Sequence, residues 1–232
     1  MRRAIPALLL VCVVFAPSAA LGQTRPQPRP SPPARTPPPK KSKVGVRAYG
    51  FYDFEALAAS KTFDAVAGSS TLNSFGGGVE VTNIWRKVFV RMTFAHGSKD
   101  GQRVFVNNGT VFPLNIPLTV GMTPIELGAG WRTTVDKKGL TGVYVGGGVV
   151  FLNYSETTTG AGATSEDNTS ETFTGYSFFG GVDRTFHKYL FAGAEAQYSG
   201  LPNAIGTAGV SQSYNETNLG GFAIRVLFGF RK

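Results

Sequence analysis

From Val44 to Lys232 the chain alternates between apolar and small or polar residues with a period of two. The pattern is clearest near the end. From Phe222 the even positions read Phe222, Ile224, Val226, Phe228 and Phe230, and the odd positions Ala223, Arg225, Leu227 and Gly229. The same period predicts strands near 44–58, 72–83, 87–97, 117–133, 140–155, 171–184, 188–200 and 213–230. The links after the first, third, fifth and seventh strands are long and rich in Gly, Ser, Thr and Asn: 59–71, 98–116, 156–170 and 201–212. Those after the second, fourth and sixth are tight: 84–86, 134–139 and 185–187. Four long loops on one side and three turns on the other predict an all-β fold, an eight-stranded antiparallel up-and-down barrel with both chain ends on the turn side.

Alternation alone does not separate a water-filled exterior from a lipid-covered one, because a soluble barrel turns its apolar face inward. Composition does. Only 16% of residues are charged, against about 25% in ordinary soluble domains, so the polar face of each strand is too uncharged for contact with water. Aromatic residues also gather near the strand ends. Trp85, Trp131, Tyr189 and Phe230, with Phe89, lie toward the turns, and Tyr52, Tyr154, Tyr176 and Tyr198, with Tyr214, toward the long loops. Two such girdles suit a transmembrane β-barrel.

With this layout, residues 44–232 resemble the eight-stranded bacterial outer-membrane β-barrel superfamily, which includes the OmpA transmembrane domain, OmpX-type proteins and opacity adhesins. The stretch Phe222–Phe230 resembles a closing strand of that class, followed here by Arg231 and Lys232. The resemblance implies a cell outer-membrane location, outer-membrane lipids as partners, no cofactor, and a structural or surface-interaction role such as adhesion. A porin-like small channel or solute-transport barrel is the alternative. No stretch resembles the peptidoglycan-binding domain that follows the barrel in full OmpA proteins.

The start of the chain fits export. Arg2 and Arg3 precede an apolar run, Ile5 to Ala16, then small residues near Gly22, so 1–22 reads as a signal peptide. The sole cysteine, Cys12, falls inside it. Residues 23–43 are proline-rich and basic and predict an extended periplasmic tether of about 3.1 Å per residue, suited to cell-wall or anionic-lipid contact. The formal charge of +9 is concentrated at this end. The first 43 residues hold eight Lys/Arg and no acid, whereas 44–232 hold 15 Lys/Arg against 14 Asp/Glu. A nucleic-acid module needs its basic residues on the folded surface, so no nucleic-acid partner is expected.

Turning the apolar residues outward assigns the opposite parity to the lumen. Arg47, Asp53, Glu55, Glu80, Arg91, Glu126, Arg132, Asp183, Glu195, Gln197 and Arg225 then point inward. The fifth strand gives no clear parity. An eight-stranded barrel is just wide enough for side chains to fill it, and buried charges must be paired. The lumenal charge network expected is Arg47, Arg91, Arg132 and Arg225 with Glu80, Glu126, Asp183 and Glu195, plugging the barrel; a proton or ion pathway through the same groups is the alternative. The turns are basic, with Arg86, Lys87, Lys137, Lys138 and Lys188, and the third long loop is acidic, with Glu156, Glu166, Asp167 and Glu171.

Candidate chemistry is sparse. The His96-Gly97-Ser98 stretch, with Asp100 beyond it, is similar in spacing to the His and Ser of outer-membrane lipid A deacylases. The surrounding motif is missing, so the expectation is no enzyme, no catalytic residue and no metal site. His187 lies too far from His96 to share a metal with it.

Overall fold

Eight antiparallel strands close into one ring: β1 Gly45–Leu57, β2 Thr71–Trp85, β3 Val88–Asn107, β4 Thr110–Thr134, β5 Thr141–Thr158, β6 Thr169–Thr185, β7 Leu190–Gly200 and β8 Gly221–Arg231. Each pairs with its sequence neighbour, and β8 returns to β1 with Arg225 opposite Asp53 and Arg231 opposite Arg47. The computed structural model describes residues 44–159 and 168–232. The expected signal peptide and tether, and Glu166 and Asp167, lie outside the described residues.

The faces of the ring follow the period of two. Along β8 buried and exposed positions alternate throughout, with Ala223, Arg225 and Leu227 inside and Phe222, Ile224, Val226, Phe228 and Phe230 outside. Val46, Phe54, Phe75, Val79, Leu127 and Val182 extend the outer belt around the other strands. Apolar residues therefore cover the exterior while the ionised groups are buried. This inverts a water-soluble barrel and matches the lipid-facing band of a transmembrane one.

Three segments depart from the sequence expectation. The stretch 98–116 was expected as a polar loop. Instead β3 and β4 run on as a hairpin that turns at Asn108 (φ 49°) and Gly109 (φ 79°). Both residues have the left-handed backbone that a two-residue type I′ turn requires, and the flanking pairs Phe105–Phe112 and Val106–Val111 are good strand formers. The register slips between Gln102 and Val104, where the facing strand carries Pro113, Asn115 and Pro117; proline offers no N–H to the ladder. The last strand was expected from residue 213. It begins at Gly221, because Gly209–Tyr214 forms a short helix, α2, ended by Asn215 in the left-handed region. The first long link holds another helix, α1, Ser60–Ala67, closed by Gly68 at φ 68°.

The fifth strand resolves to even positions inward, with Tyr144, Val150 and Leu152 buried, and odd positions outward at Val145, Val149 and Phe151. Its parity is hidden in the sequence because both of its faces are apolar. The lumen is not polar throughout: Phe51, Phe89, Tyr144 and Phe179 form an interior aromatic cluster. Inward-facing glycines make room for these rings. A Cβ at Gly146 would lie 2.5 Å from the Phe179 ring, and one at Gly130 would lie 2.6 Å from Phe89.

Candidate functional site

The lumen is filled in two layers. Toward the turns and through the middle lies a charge network built on strand register. Arg47 faces Glu80 and Glu80 faces Arg91 across β1, β2 and β3, while Asp53 faces Arg225 and Arg225 faces Glu195 across β1, β8 and β7. Arg47 is 3.1 Å from Asp183 and 3.5 Å from Glu80. Arg132 completes this group, 3.0 Å from Glu80 and also bonded to Asp183. In the second group Arg91 reaches Glu126 at 2.5 Å and Glu195 at 2.6 Å, and Arg225 reaches Asp53 at 2.8 Å, Glu195 at 3.3 Å and Glu126 at 3.9 Å.

All eight residues expected in the lumen are thus brought together, and Asp53, expected inside but outside the network, joins them as a fifth carboxylate. Every arginine also lies over a ring. Arg47 is 3.8 Å from the Phe191 centroid, Arg91 3.2 Å from Phe179, Arg132 4.3 Å from Tyr144 and Arg225 4.6 Å from Phe51. Stacking suits the planar, weakly hydrated guanidinium and packs the faces that carboxylates leave open. Sequence reasoning missed these rings. Phe89, read as part of a girdle, is wholly buried and meets Tyr144 edge to face. The only signal was parity: Phe51 lies on the face of β1 that carries Arg47 and Asp53.

The packing leaves almost no space. The cavity among Arg47, Glu80, Arg91, Arg132, Asp183 and Glu195 measures about 10 Å³, which is at the limit of what one water needs. A neighbouring void beside Asp53, Glu55, Gln197 and Arg225 measures about 30 Å³. The loop end is closed by apolar packing instead. Leu72, Leu118, Val120, Met122, Leu152 and Leu219 fill the lumen there, and Phe63 of α1 inserts among them. A charged seal and an apolar seal thus stand in series.

α1 is held over the mouth by the neighbouring β7–β8 loop, across the β8–β1 seam. The Glu216 carboxylate accepts the backbone N–H groups of Lys61 at 3.1 Å and Thr62 at 2.8 Å, and the Thr62 hydroxyl at 2.7 Å. It caps donors that no helical carbonyl can reach. Beside the helices is a recess of about 330 Å³ lined by Phe63, Val66, Leu118 and Val210, with Arg103 and Glu156 among its polar groups. Beyond it the β3–β4 hairpin exposes Phe105, Phe112, Leu114 and Ile116.

Of the expected girdle residues, Trp85, Trp131, Tyr189, Phe230, Tyr52, Tyr176 and Tyr198 are all exposed on the outside of the ring. Tyr154 is not. It sits on the inward parity of β5, packs against the apolar seal beside Phe173, and donates its hydroxyl to Glu156 at 2.5 Å. Tyr214 lies in α2, away from the strands.

The His96 ring nitrogen Nδ1 lies 2.9 Å from the Thr123 hydroxyl, and Asp100 accepts from Thr119 at 2.7 Å. Among the described residues no three metal-ligating side chains come together.

No protein-family model matches the chain, and no curated protein matches its sequence. Solved structures do. The outer membrane protein OprG of Pseudomonas aeruginosa is similar over 83% of this chain and 97% of its own, at 12% identity and a TM-score of 0.50. The chain has the eight-stranded outer-membrane barrel fold. Two other eight-stranded outer-membrane barrels also match. Ail, the attachment invasion locus protein of Yersinia pestis, was solved with the heparin analogue sucrose octasulfate; 82% of this chain and all of that one are covered, at 10% identity and a TM-score of 0.49. The N-terminal barrel domain of Pseudomonas aeruginosa OprF is covered to 97%, against 81% of this chain, at 13% identity and a TM-score of 0.45.

Proposed function

We propose that the protein is an outer-membrane barrel with a sealed lumen, exported through its 1–22 signal peptide, that acts by surface contact rather than by transport or catalysis. Its loop end faces the exterior and its turn end the periplasm. Outer-membrane lipids surround the belt, and the basic 23–43 tether contacts the cell wall or anionic lipid. The observation that carries this reading is the β3–β4 hairpin. It stands beyond a doubly sealed lumen and exposes Phe105, Phe112, Leu114 and Ile116, apolar surface that has no use in an isolated barrel and marks a contact site.

Two measurements test it together. In a planar bilayer the refolded chain should be silent; steady discrete openings would favour the channel alternative. Cells that display the barrel with residues 104–113 replaced by a two-residue turn should adhere to hydrophobic surfaces several-fold less than cells that display the parent. Equal adherence at equal surface expression would remove the hairpin from the function.

A further inference from the structure

The turn end of the barrel opens into a vestibule of about 750 Å³ that the sealed lumen does not explain. Its ionised lining is one-sided. Arg47 and Arg132 are matched by Asp183 and Glu80, as described above. Lys87, Lys188, Arg231 and Lys232 also line the vestibule and make no ion pair among the described residues. Lys87 donates to the Thr133 hydroxyl at 2.7 Å, and the Lys188 ammonium lies 5.0 Å from the Tyr189 ring centre.

Two further observations point to an anion. Arg231 is the cross-strand partner of Arg47 at the β1–β8 seam, and both lie on the inward parity. Like charges placed directly opposite each other destabilise a sheet unless something between them offsets the repulsion. The Arg47 Nε–H is also buried without a hydrogen-bond acceptor. The seam is nevertheless tightly fixed by backbone. Lys232 N–H donates to the Val46 carbonyl at 2.9 Å and Val46 N–H to the Lys232 carbonyl at 3.3 Å, while on the β7 side Arg231 N–H donates to the Tyr189 carbonyl at 2.8 Å. Backbone pairing therefore fixes Arg231 and Lys232 at the rim, and Lys87 and Lys188 reach the vestibule from exposed turns, their ammonium groups 5.0 Å from the Trp131 and Tyr189 ring centres. Residues 23–43 supply no counter-charge, since they carry no acid.

We propose that this vestibule is a binding site for a phosphate group. Lysines supply point charge and the paired arginines supply planar donors, the combination that recognises phosphate oxygens. The group could come from an anionic phospholipid headgroup or from a soluble phosphate ester. That the vestibule faces the periplasm rests on the orientation proposed above; the site itself does not.

The test uses the full folded chain in a neutral detergent, with a heat-dependent gel shift as the folding control. Glycerol 1-phosphate is titrated by calorimetry, and phosphatidylglycerol is offered in mixed micelles against phosphatidylcholine. Saturable glycerol phosphate binding is expected, at least tenfold weaker in the Lys87→Gln/Lys188→Gln/Arg231→Gln variant. The Lys137→Gln/Lys138→Gln variant should bind as the parent does, because those lysines sit in the neighbouring turn but do not line the vestibule. Phosphatidylglycerol that binds and is displaced by glycerol phosphate would make the source a lipid headgroup; binding of the soluble ester alone would make it a periplasmic solute. Equal losses in the two variants would reduce the effect to diffuse charge and overturn the site. Acetate binding as tightly as the phosphate ester, or no saturable binding of either probe, would overturn it as well. None of these outcomes bears on adhesion through the hairpin.

Discussion

Glu216 and Thr62 lie 154 residues apart in sequence, yet the carboxylate of one takes both the N–H and the hydroxyl of the other, at 2.8 and 2.7 Å. α1 has no side-chain cap of its own, so the last loop supplies the cap and ties the first loop down over the mouth. The apolar seal depends on that tie, because Phe63 rides on α1.

Glu216→Ala should release the first turn of α1 at a local cost of about 1 kcal/mol, the usual worth of a helix cap. Trypsin cleavage at Lys61 is then expected to quicken several-fold, with Glu216→Gln closer to the parent because it keeps an acceptor. An unchanged cleavage rate in the alanine variant would show that α1 is held by Phe63 packing alone.

Arg91 sits between Glu126 and Glu195 and over Phe179. Arg91→Leu leaves the buried carboxylates Glu126 and Glu195 to share Arg225, at 3.9 and 3.3 Å, with Asp53, and should lower the stability of the refolded barrel by about 3 kcal/mol, read as a shift in the denaturant midpoint in lipid vesicles. Arg91→Leu/Glu195→Leu should recover part of that loss, since it removes one of the three carboxylates left around Arg225. Neither variant should conduct, because the Leu118–Leu152 packing above remains. Discrete openings in either would show that the charge network is the working seal.

At the turn end, Asp136 accepts the N–H groups of Thr141 at 2.6 Å and Leu140 at 3.0 Å. These bonds, Thr141 first, hold its carboxyl below the usual Asp range. A group whose folded pKa is depressed stabilises the fold above its unfolded value, near 3.9, and loses that contribution as pH falls through the folded value. Asp136→Asn should therefore be less stable than the parent at pH 7, and the gap should narrow in acid below pH 4. A gap that stays constant from pH 7 to pH 2 would mean that the ionised carboxylate is not what holds the turn.

Much of this was legible in the chain. A period of two forces alternate residues to opposite faces, so Arg47, Arg91, Arg132 and Arg225 were assigned inward from their apolar neighbours alone, and the strand count followed from the spacing of the links. Parity says which face a residue takes, not what fills the space beyond it. In sequence Phe89 reads as a girdle ring and Phe51 and Phe179 stay unassigned; inside, Phe51 and Phe179 stack on guanidinium groups and Phe89 packs against Phe179 and Tyr144. The apolar inner face of β5, with Tyr144 and Leu152, erased the polar–apolar contrast on which the method depends, and Tyr154 was misplaced for the same reason.

The sequence by itself determined the barrel, its inside and outside, and which charges had to meet, because those depend on local alternation and on the cost of leaving an ion unpaired in a narrow space. Only the tertiary structure decided which carboxylate each arginine reaches, that Asp53 belongs to the network, that Glu216 of the last loop caps a helix of the first, and that Arg47 and Arg231 face each other at the seam. Those outcomes depend on strand register and ring closure, which bring together residues that no sequence window contains.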